Sequence, residues 1–521
     1  MLKRIASVLA AILALVLAPG VPQPVRARRR LGPDEVFLPH LEDDSTPSVR
    51  TPFDVLWRLE DMPDWLHAIG QPEQLKTALE RSIPAFASGA MALEDVRPRG
   101  IRLEDGSCGG MFELTFEGFG GARHVVRLRG VAHPGPPARV DGIRTGLPFG
   151  EDGWRCTVPE LHLVLETLPA DAALPALPIL TDPDGASQLL EGAMRAESPA
   201  YADLRIAACT PEVLRYKFGH RCTILYRLEY GPDAAGRGWP ERVVAKTHRG
   251  SKGRAAYEGM RTLWDSELRS SAAVTIAEPL AFLPELKVLL QRAVPQETTL
   301  KDVLQSVLPG GTARAREELR VLLARTARGL AALHACSAHG RIFSLEQKMA
   351  EIRGRIVRLA SWIPGLDGAL EPTLARFEAL AASHAPQRPV PSHQSFRPAQ
   401  VLLHDGPVAF IDFDGFCEAE PAMDLALFRA SLKQDVIRVG SREKRPAPSP
   451  DLLSELHALC DLFLDEYETI APVSRERVAL WETLYLLENV LNSWIKVEPQ
   501  RLERGMALLE RHVHQSRWSL A

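Results

Sequence analysis

The sequence predicts an α+β protein of two lobes, a small β-rich one followed by a helical one, with a further α+β region ahead of both. Three observations predict it. Between residues 213 and 247, short runs of alternating apolar and polar residues stand close together and end in Val-Val-Ala-Lys. From Glu317 onward, apolar residues recur at helical spacing in long runs. Inside that helical half, Val401–Leu403 and Val408–Phe410 flank Asp405-Gly406, a two-residue hairpin turn. A chain of 521 residues accommodates two or three domains. The expected division is an extension over 1–45, an accessory domain over 46–200, a small lobe over 201–295 and a large lobe over 296–521.

Composition sets bounds on function. A hydrophobic content of 45% with 25% charged residues is that of an ordinary globular protein. The net charge of −4 gives no reason to expect nucleic acid or an anionic membrane surface as a partner. Seven scattered cysteines with no Cys-x-x-Cys pair argue against a disulfide framework or zinc site and for a reducing cytoplasm. Lys3 and Arg4 precede an apolar run, Ile5 to Ala18, that is short for a membrane span, and Arg26, Arg28, Arg29 and Arg30 follow. The segment is read as a disordered or mis-started extension, with a weak anchor as the runner-up and no stable membrane insertion.

Each element has a local reason. Residues 52–92 read as helical, with Pro72 at a permitted early helix position. Gly100–Leu103, Met111–Phe116 and His124–Arg129 read as strands, and the Gly106–Gly110 stretch between them as a plain turn. Val213–Tyr216 and Cys222–Tyr230 are strands around Gly219; Glu241–Thr247 is a strand bearing Lys246, and Arg254–Trp264 a helix bearing Glu258. Leu286–Leu290 is an apolar strand leading to Gln291 and Ala293. Glu317–Cys336 is an amphipathic helix with His334 on its last turn, expected as a capping or core histidine. Phe343–Ala382 holds two helical runs. After the hairpin, Leu425–Val439, Leu452–Thr469, Arg475–Trp494 and Arg501–Trp518 are helices, with a basic, Pro-rich linker over Arg442–Pro450.

The hairpin brings two polar clusters side by side: His393-Gln394-Ser395-Phe396-Arg397-Pro398-Ala399-Gln400 before it, Ile411-Asp412-Phe413-Asp414-Gly415 after it. Carboxylate and amide oxygens converging there suit a Mg²⁺ ion and a nucleotide phosphate. In order and spacing, with Asp424 closing the pattern, the segment resembles the core of the aminoglycoside phosphotransferase family, over roughly residues 205–515. The resemblance implies a bilobal protein-kinase-like fold with ATP and Mg²⁺. It implies Lys246, oriented by Glu258, on the phosphates, with Gly219, Gln291 and Ala293 also around the nucleotide. Asp412 and Gln400 would hold the metal, and His393 and Asp424 would brace the loop. Two positions depart from the family: Ser395 stands where it has its catalytic-base Asp, and Gln400 where it has a metal-binding Asn. Asp414 is the nearest substitute base, or a second metal-facing or loop-capping carboxylate. Glu418 and Glu420 read as a solvated acidic loop or as a negative field for a cationic acceptor.

Two functions follow. One is a small-molecule kinase that transfers the ATP γ-phosphate to a hydroxyl of an unknown acceptor. The other is a nucleotide-binding or scaffolding pseudokinase that meets a protein partner through 46–200. Both are expected in the cytoplasm.

Overall fold

Alternating apolar residues build sheets in the first half of the chain, and helical spacing builds a bundle in the second. The computed structural model describes Leu56 and residues 63–516, except 119–120, 136–153, 168–170, 172, 251, 295, 297, 309 and 443–449. The expected extension over 1–45, the 442–450 linker (all but Arg442 and Pro450) and the end of the last helix lie outside them. Helices α1 (Asp64–Gly70), α2 (Pro72–Ser82) and α3 (Pro84–Ala87) come first. Pro72 and Pro84 each open a helix at its first position, where no backbone N–H is needed. Strands β1 (Ala92–Glu104), β2 (Ser107–Glu117), β3 (Arg123–Ala132), β4 (Arg155–Val158) and β5 (Leu163–Glu166) form an antiparallel sheet in the order β1-β2-β3-β5-β4. β1 is longer than expected and contains Pro98, which an edge strand tolerates because it need not donate on its open side. The turn is Asp105-Gly106 alone, with Gly106 at φ 70°, and the glycines at 109 and 110 lie within β2.

Helices α4 (Leu177–Thr181) and α5 (Pro183–Glu197) precede the second sheet. Its strands are β6 (Ile206–Lys217), β7 (Arg221–Tyr230) and β8 (Arg242–His248). Helix α6 (Lys252–Trp264) and the short β9 (Val274–Ile276) follow, and β10 (Pro279–Leu283) and β11 (Val288–Arg292) complete the sheet in the order β10-β11-β8-β7-β6. Leu180, Leu190 and Met194 pack on Ile224, Tyr226, Val243 and Ala245, and the Tyr226 hydroxyl donates to the Leu180 carbonyl at 2.8 Å. One face of the small sheet is thereby sealed, and Lys246 is left on the other. The small lobe's core begins well before residue 201.

The connection β12 (Thr298–Thr299) leads to α7 (Leu300–Val307), α8 (Ala313–Ala335), α9 (Leu345–Ala360) and α10 (Leu366–Ala382). Then come β13 (Val390–Ser392), the hairpin β14 (Val401–Leu403) and β15 (Val408–Phe410), and β16 (Cys417–Ala419). Helices α11 (Pro421–Arg442), α12 (Pro450–Glu468), α13 (Arg475–Ile495) and α14 (Pro499–Gln515) complete the chain. The hairpin pairs as expected, Val401 with Phe410, and β15 runs parallel to β9, which ties the hairpin to the segment leaving α6. The architecture is bilobal and protein-kinase-like, with an α+β region in front.

That front region is not a separate unit. Its buried residues continue into the large-lobe core, where the Trp494 indole donates to Leu56 O at 2.9 Å and the Trp362 indole to Glu104 O at 3.3 Å. Trp65 stacks on His162 and meets Trp362 at 6.1 Å between ring centroids. The expected 46–200 block is thus divided: the described residues between Leu56 and Glu166 pack with the large lobe, and 174–204 with the small one. No helix among the described residues is long and apolar enough to cross a membrane.

Candidate active site

The site forms where the open face of the small sheet meets the end of the hairpin. Lys246 on β8 alternates with Ala245 and Thr247, so its side chain leaves the sealed face and crosses to the large lobe. There its Nζ lies 2.9 Å from Asp412 Oδ1 and 3.9 Å from Asp414 Oδ1. Burial alone would lower the Lys246 pKa, but the two carboxylates outweigh it and hold it raised. Burial likewise works to raise the carboxyl of Asp412, yet Lys246 and the Gln400 amide hold it well below the usual range. The pair is therefore a charged one that joins the lobes. The Lys246–Glu258 pair expected from the sequence is not formed: Glu258 is 65% exposed and faces Arg254, one helical turn away. Burial decides between the partners, since Asp412 meets the lysine inside the cleft whereas Glu258 points to solvent.

The loop before the hairpin is held from beneath. Asp424, fully buried at the start of α11, accepts from the backbone N–H groups of His393 at 2.6 Å and Gln394 at 2.9 Å. Gln394 and Asp412 adopt the left-handed conformation, at φ 64° and 76°. Such backbone persists where surrounding bonds over-determine it, at about 1–3 kcal/mol each. His334, buried, bridges Tyr467 OH at 2.8 Å and Asp424 Oδ2 at 3.4 Å, a core role.

His393 is fully buried between Phe396 and Phe413. Its Nε2 lies 3.0 Å from the Ile411 carbonyl, and its Nδ1 3.2 Å from Ser395 Oγ. A carbonyl only accepts, so the proton sits on Nε2, and Nδ1 is the acceptor for the Ser395 hydroxyl. Burial, opposed by the attraction of Asp424, lowers the imidazole's pKa and keeps the ring neutral. Gln400 Nε2 donates to Asp412 Oδ2 at 3.3 Å and to Ser395 Oγ at 3.4 Å. Two oxygens here, Gln400 Oε1 and Asp414 Oδ1, are buried without a hydrogen-bond partner. Unpartnered buried acceptors beside Asp412 suit a hard cation, which takes oxygen ligands. No group of three or more His, Cys, Asp or Glu residues among those described is arranged to hold a metal alone. Mg²⁺ usually takes one or two carboxylates and fills its shell with phosphate and water.

The remaining expected residues lie around this centre. Gly219, φ 68°, is at the tip of the β6–β7 hairpin, and its N–H donates to Asp171 at 2.8 Å. Gln291 is buried in β11 with its Oε1 unpartnered. Ala293 spends its N–H on Arg242 O at 3.0 Å, so that amide is engaged within the protein. Glu420, read from sequence as solvated or as part of a negative field, is buried in an ion pair with Arg477. His248 escaped the sequence reading. Its Nε2 stands 3.6 Å from Asp414 Oδ2, and strand alternation from Lys246 was the signal for it, since residues two apart share a face.

A lysine strand over a metal-suited carboxylate, at the junction of a small sheet and a helical lobe, defines the class of kinase-like phosphotransferases. Residues 262–512 match the model of the phosphotransferase enzyme family, APH. Among solved structures, it is similar to a glucosamine kinase in complex with glucosamine, ADP and inorganic phosphate, at 16% identity over 86% of this chain and 99% of that one, TM-score 0.42. An aminoglycoside phosphotransferase of the 2″ type, in complex with GDP and kanamycin, is 16% identical over 62% of this chain and 98% of its own, TM-score 0.39. A choline kinase from Cryptosporidium parvum Iowa II is 10% identical over 63% and 94%, TM-score 0.41. No curated protein sequence matches the chain.

Proposed function

We propose that this chain is a nucleotide-dependent phosphotransferase that moves the γ-phosphate of ATP to a hydroxyl of a small-molecule acceptor. The observation that carries the reading is the meeting of Lys246 and Asp412 across the lobes at 2.9 Å, beside the unpartnered oxygens of Asp414 and Gln400. Lys246 would exchange part of its hold on Asp412 for phosphate oxygens, and Asp412, Asp414 and Gln400 would hold Mg²⁺. The ion, when bound, neutralises charge on the phosphate oxygens.

Ser395 does not remove the route for the acceptor's proton. Its hydroxyl is already directed at a neutral His393 whose tautomer the Ile411 carbonyl sets. As the acceptor oxygen bonds to the γ-phosphorus and the bond to the β-phosphate oxygen breaks, the acceptor's proton passes to Ser395 Oγ. Ser395 in turn gives its own proton to His393 Nδ1, and the nearby Asp424 favours the imidazolium so formed. Asp414 is not needed as the substitute base, because it is drawn to Lys246 and His248. Such chemistry belongs in the cytoplasm, where ATP is supplied.

The test is ligand-dependent stability and turnover on the full chain. ATP should raise the melting temperature, and by more with Mg²⁺, because a ligand specific to the folded state stabilises it by mass action, about 2.7 kcal/mol at a hundredfold excess over Kd. Lys246→Ala and Asp412→Ala should each lose the shift. ADP release against a panel of hydroxyl acceptors then reads the chemistry. The absence of a carboxylate at Ser395 favours a second reading, a nucleotide-binding pseudokinase. Binding without turnover of any acceptor would select it, and no shift at millimolar ATP would leave only a scaffold.

A further inference from the structure

Gln291 carries a polar group that neither the fold nor the proposed transfer uses. It stands in β11 and is 4% exposed, with its Oε1 buried and without a hydrogen-bond partner. Its side-chain amide makes no hydrogen bond among the described residues. A buried acceptor with no donor costs stability, and an apolar side chain of the same shape would avoid that cost. Strand alternation explains why a side chain points inward here, but not why that side chain is an amide.

Strand register fixes the face it occupies. Gln291 stands opposite Val244, and Val244 opposite Leu225; one row along the same face, Leu289 stands opposite Lys246, and Lys246 opposite Thr223. Residues directly opposite in an antiparallel sheet share a face, so Gln291, Val244 and Leu225 lie on the side from which Lys246 reaches Asp412. Leu225 is buried and Val244 half-buried, and neither packs into either hydrophobic core. They form an apolar strip beside an unpartnered amide. The two rows are about 7 Å apart along the strand, which leaves room for a ribose between a base on one and phosphates on the other. Beyond Gln291, the backbone N–H groups of Arg292 and Ala293 are engaged by the carbonyls of Glu278 at 2.8 Å and Arg242 at 3.0 Å. The Arg292 guanidinium is held by the Glu278 carboxylate at 2.7 Å. The Gln291 amide is left for what enters the cleft.

We propose that the Gln291 carboxamide reads the base of the nucleotide at its 6-position, and that it admits 6-amino and 6-keto purines alike, so that GTP serves as well as ATP. The inference rests on the proposed nucleotide site at Lys246 and Asp412. A carboxamide offers an acceptor and a donor side by side. Toward adenine, Oε1 accepts from the 6-amino group while Nε2 donates to N1. Toward guanine, with the amide turned by half a turn, Nε2 donates to the 6-keto oxygen while Oε1 accepts from N1–H. That turn is about a bond with a broad, two-fold torsion, and no hydrogen bond within the protein opposes it. A purine without a 6-substituent leaves Oε1 as it stands now, buried and unpaired.

Calorimetry on the full chain with Mg²⁺ and no acceptor tests this, using ATP, GTP and purine riboside 5′-triphosphate, which has only hydrogen at position 6. ATP and GTP should bind within about tenfold of one another, and the analogue at least about tenfold more weakly than either, because it strands a buried acceptor. Gln291→Met keeps the length of the side chain and removes the amide. The variant should lose at least about tenfold in affinity for ATP and GTP and no longer distinguish them from the analogue. Without nucleotide it should melt no lower than the parent, since an unpaired buried group has gone. An amide with a structural role alone would instead lower the melting temperature and leave the discrimination in place. The proposal is overturned by an analogue that binds as tightly as ATP, by a preference of more than about tenfold between ATP and GTP, or by a variant that still discriminates. If the variant does not fold, the wild-type affinities decide alone. Selective binding without ADP release against any acceptor ends the transfer reading and leaves this inference standing, whereas no heat from any of the three nucleotides ends both.

Discussion

Ser395 carries the chemical question at the scale of single residues. A hydroxyl alone is no base near neutral pH, and its bond to His393 Nδ1 is what gives it somewhere to send a proton. Ser395→Ala should therefore lower turnover by about 10²-fold or more, the usual range for a positioned base, with ATP affinity kept. Ser395→Asp supplies a carboxylate directly and should turn over at least as fast as wild type; combining it with Gln400→Asn completes the family pattern. Single-turnover rates at saturating ATP separate these outcomes, and full activity in Ser395→Ala would remove the relay. The pH dependence has a definite sign. His393 must be neutral to accept, and burial sets its pKa below the ordinary 6.5. Turnover should hold through neutrality and fall only as pH drops below about 6.5.

Elements hold these residues through a few buried charges. In the large lobe, Glu482 of α13 is fully buried between Arg429 at 2.9 Å and Lys433 at 2.6 Å, both on α11. Burial works to raise its carboxyl, and the two cations hold it far below the ordinary 4.5. Glu482→Ala would leave the buried Lys433 without its carboxylate and Arg429 with only the half-exposed Asp461 at 3.2 Å, and should cost about 3–5 kcal/mol in urea unfolding. A depressed carboxyl contributes fully above its unfolded value and loses that contribution on acidification. Wild-type stability should therefore fall more steeply below pH 4.5 than that of Glu482→Gln. The small lobe has a different tie. Asp171 accepts from the Tyr216 hydroxyl at 2.9 Å and the Gly219 N–H at 2.8 Å, and so pins the hairpin tip that carries Lys217 and Arg221. Asp171→Ala should weaken ATP binding severalfold with little change in melting temperature, as a competition titration would show. A large loss of stability with unchanged ATP affinity would make the tie structural only.

Across the whole molecule, the front region is built into both lobes. Trp494, Trp362 and Trp65 join the first sheet and its helices to the large lobe, while α4 and α5 seal the small sheet. A fragment of residues 201–521 would expose both apolar faces, and burial is the main favourable term in folding. It should aggregate, or bind a hydrophobic dye without a cooperative melt, where the full chain does neither. A monomeric fragment with a sharp transition would show that the shared cores are dispensable.

What the sequence determined by itself was local. The Asp405-Gly406 turn, the order of polar residues around it, and the alternation that carries Lys246 all depend on neighbours within a few positions, and they suffice for the two lobes. β6 began earlier than read because Pro211 looks like a strand end, although an edge strand accepts it. Tertiary structure decided everything that pairs residues far apart in the chain. It gave Lys246 to Asp412 rather than Glu258, and directed Ser395 onto His393. It also joined the described residues between Leu56 and Glu166 to one lobe and 174–204 to the other. The physical reason is that a charge or a hydroxyl takes its partner from whatever desolvated surface folding brings against it, and no spacing along the chain encodes which surface that is.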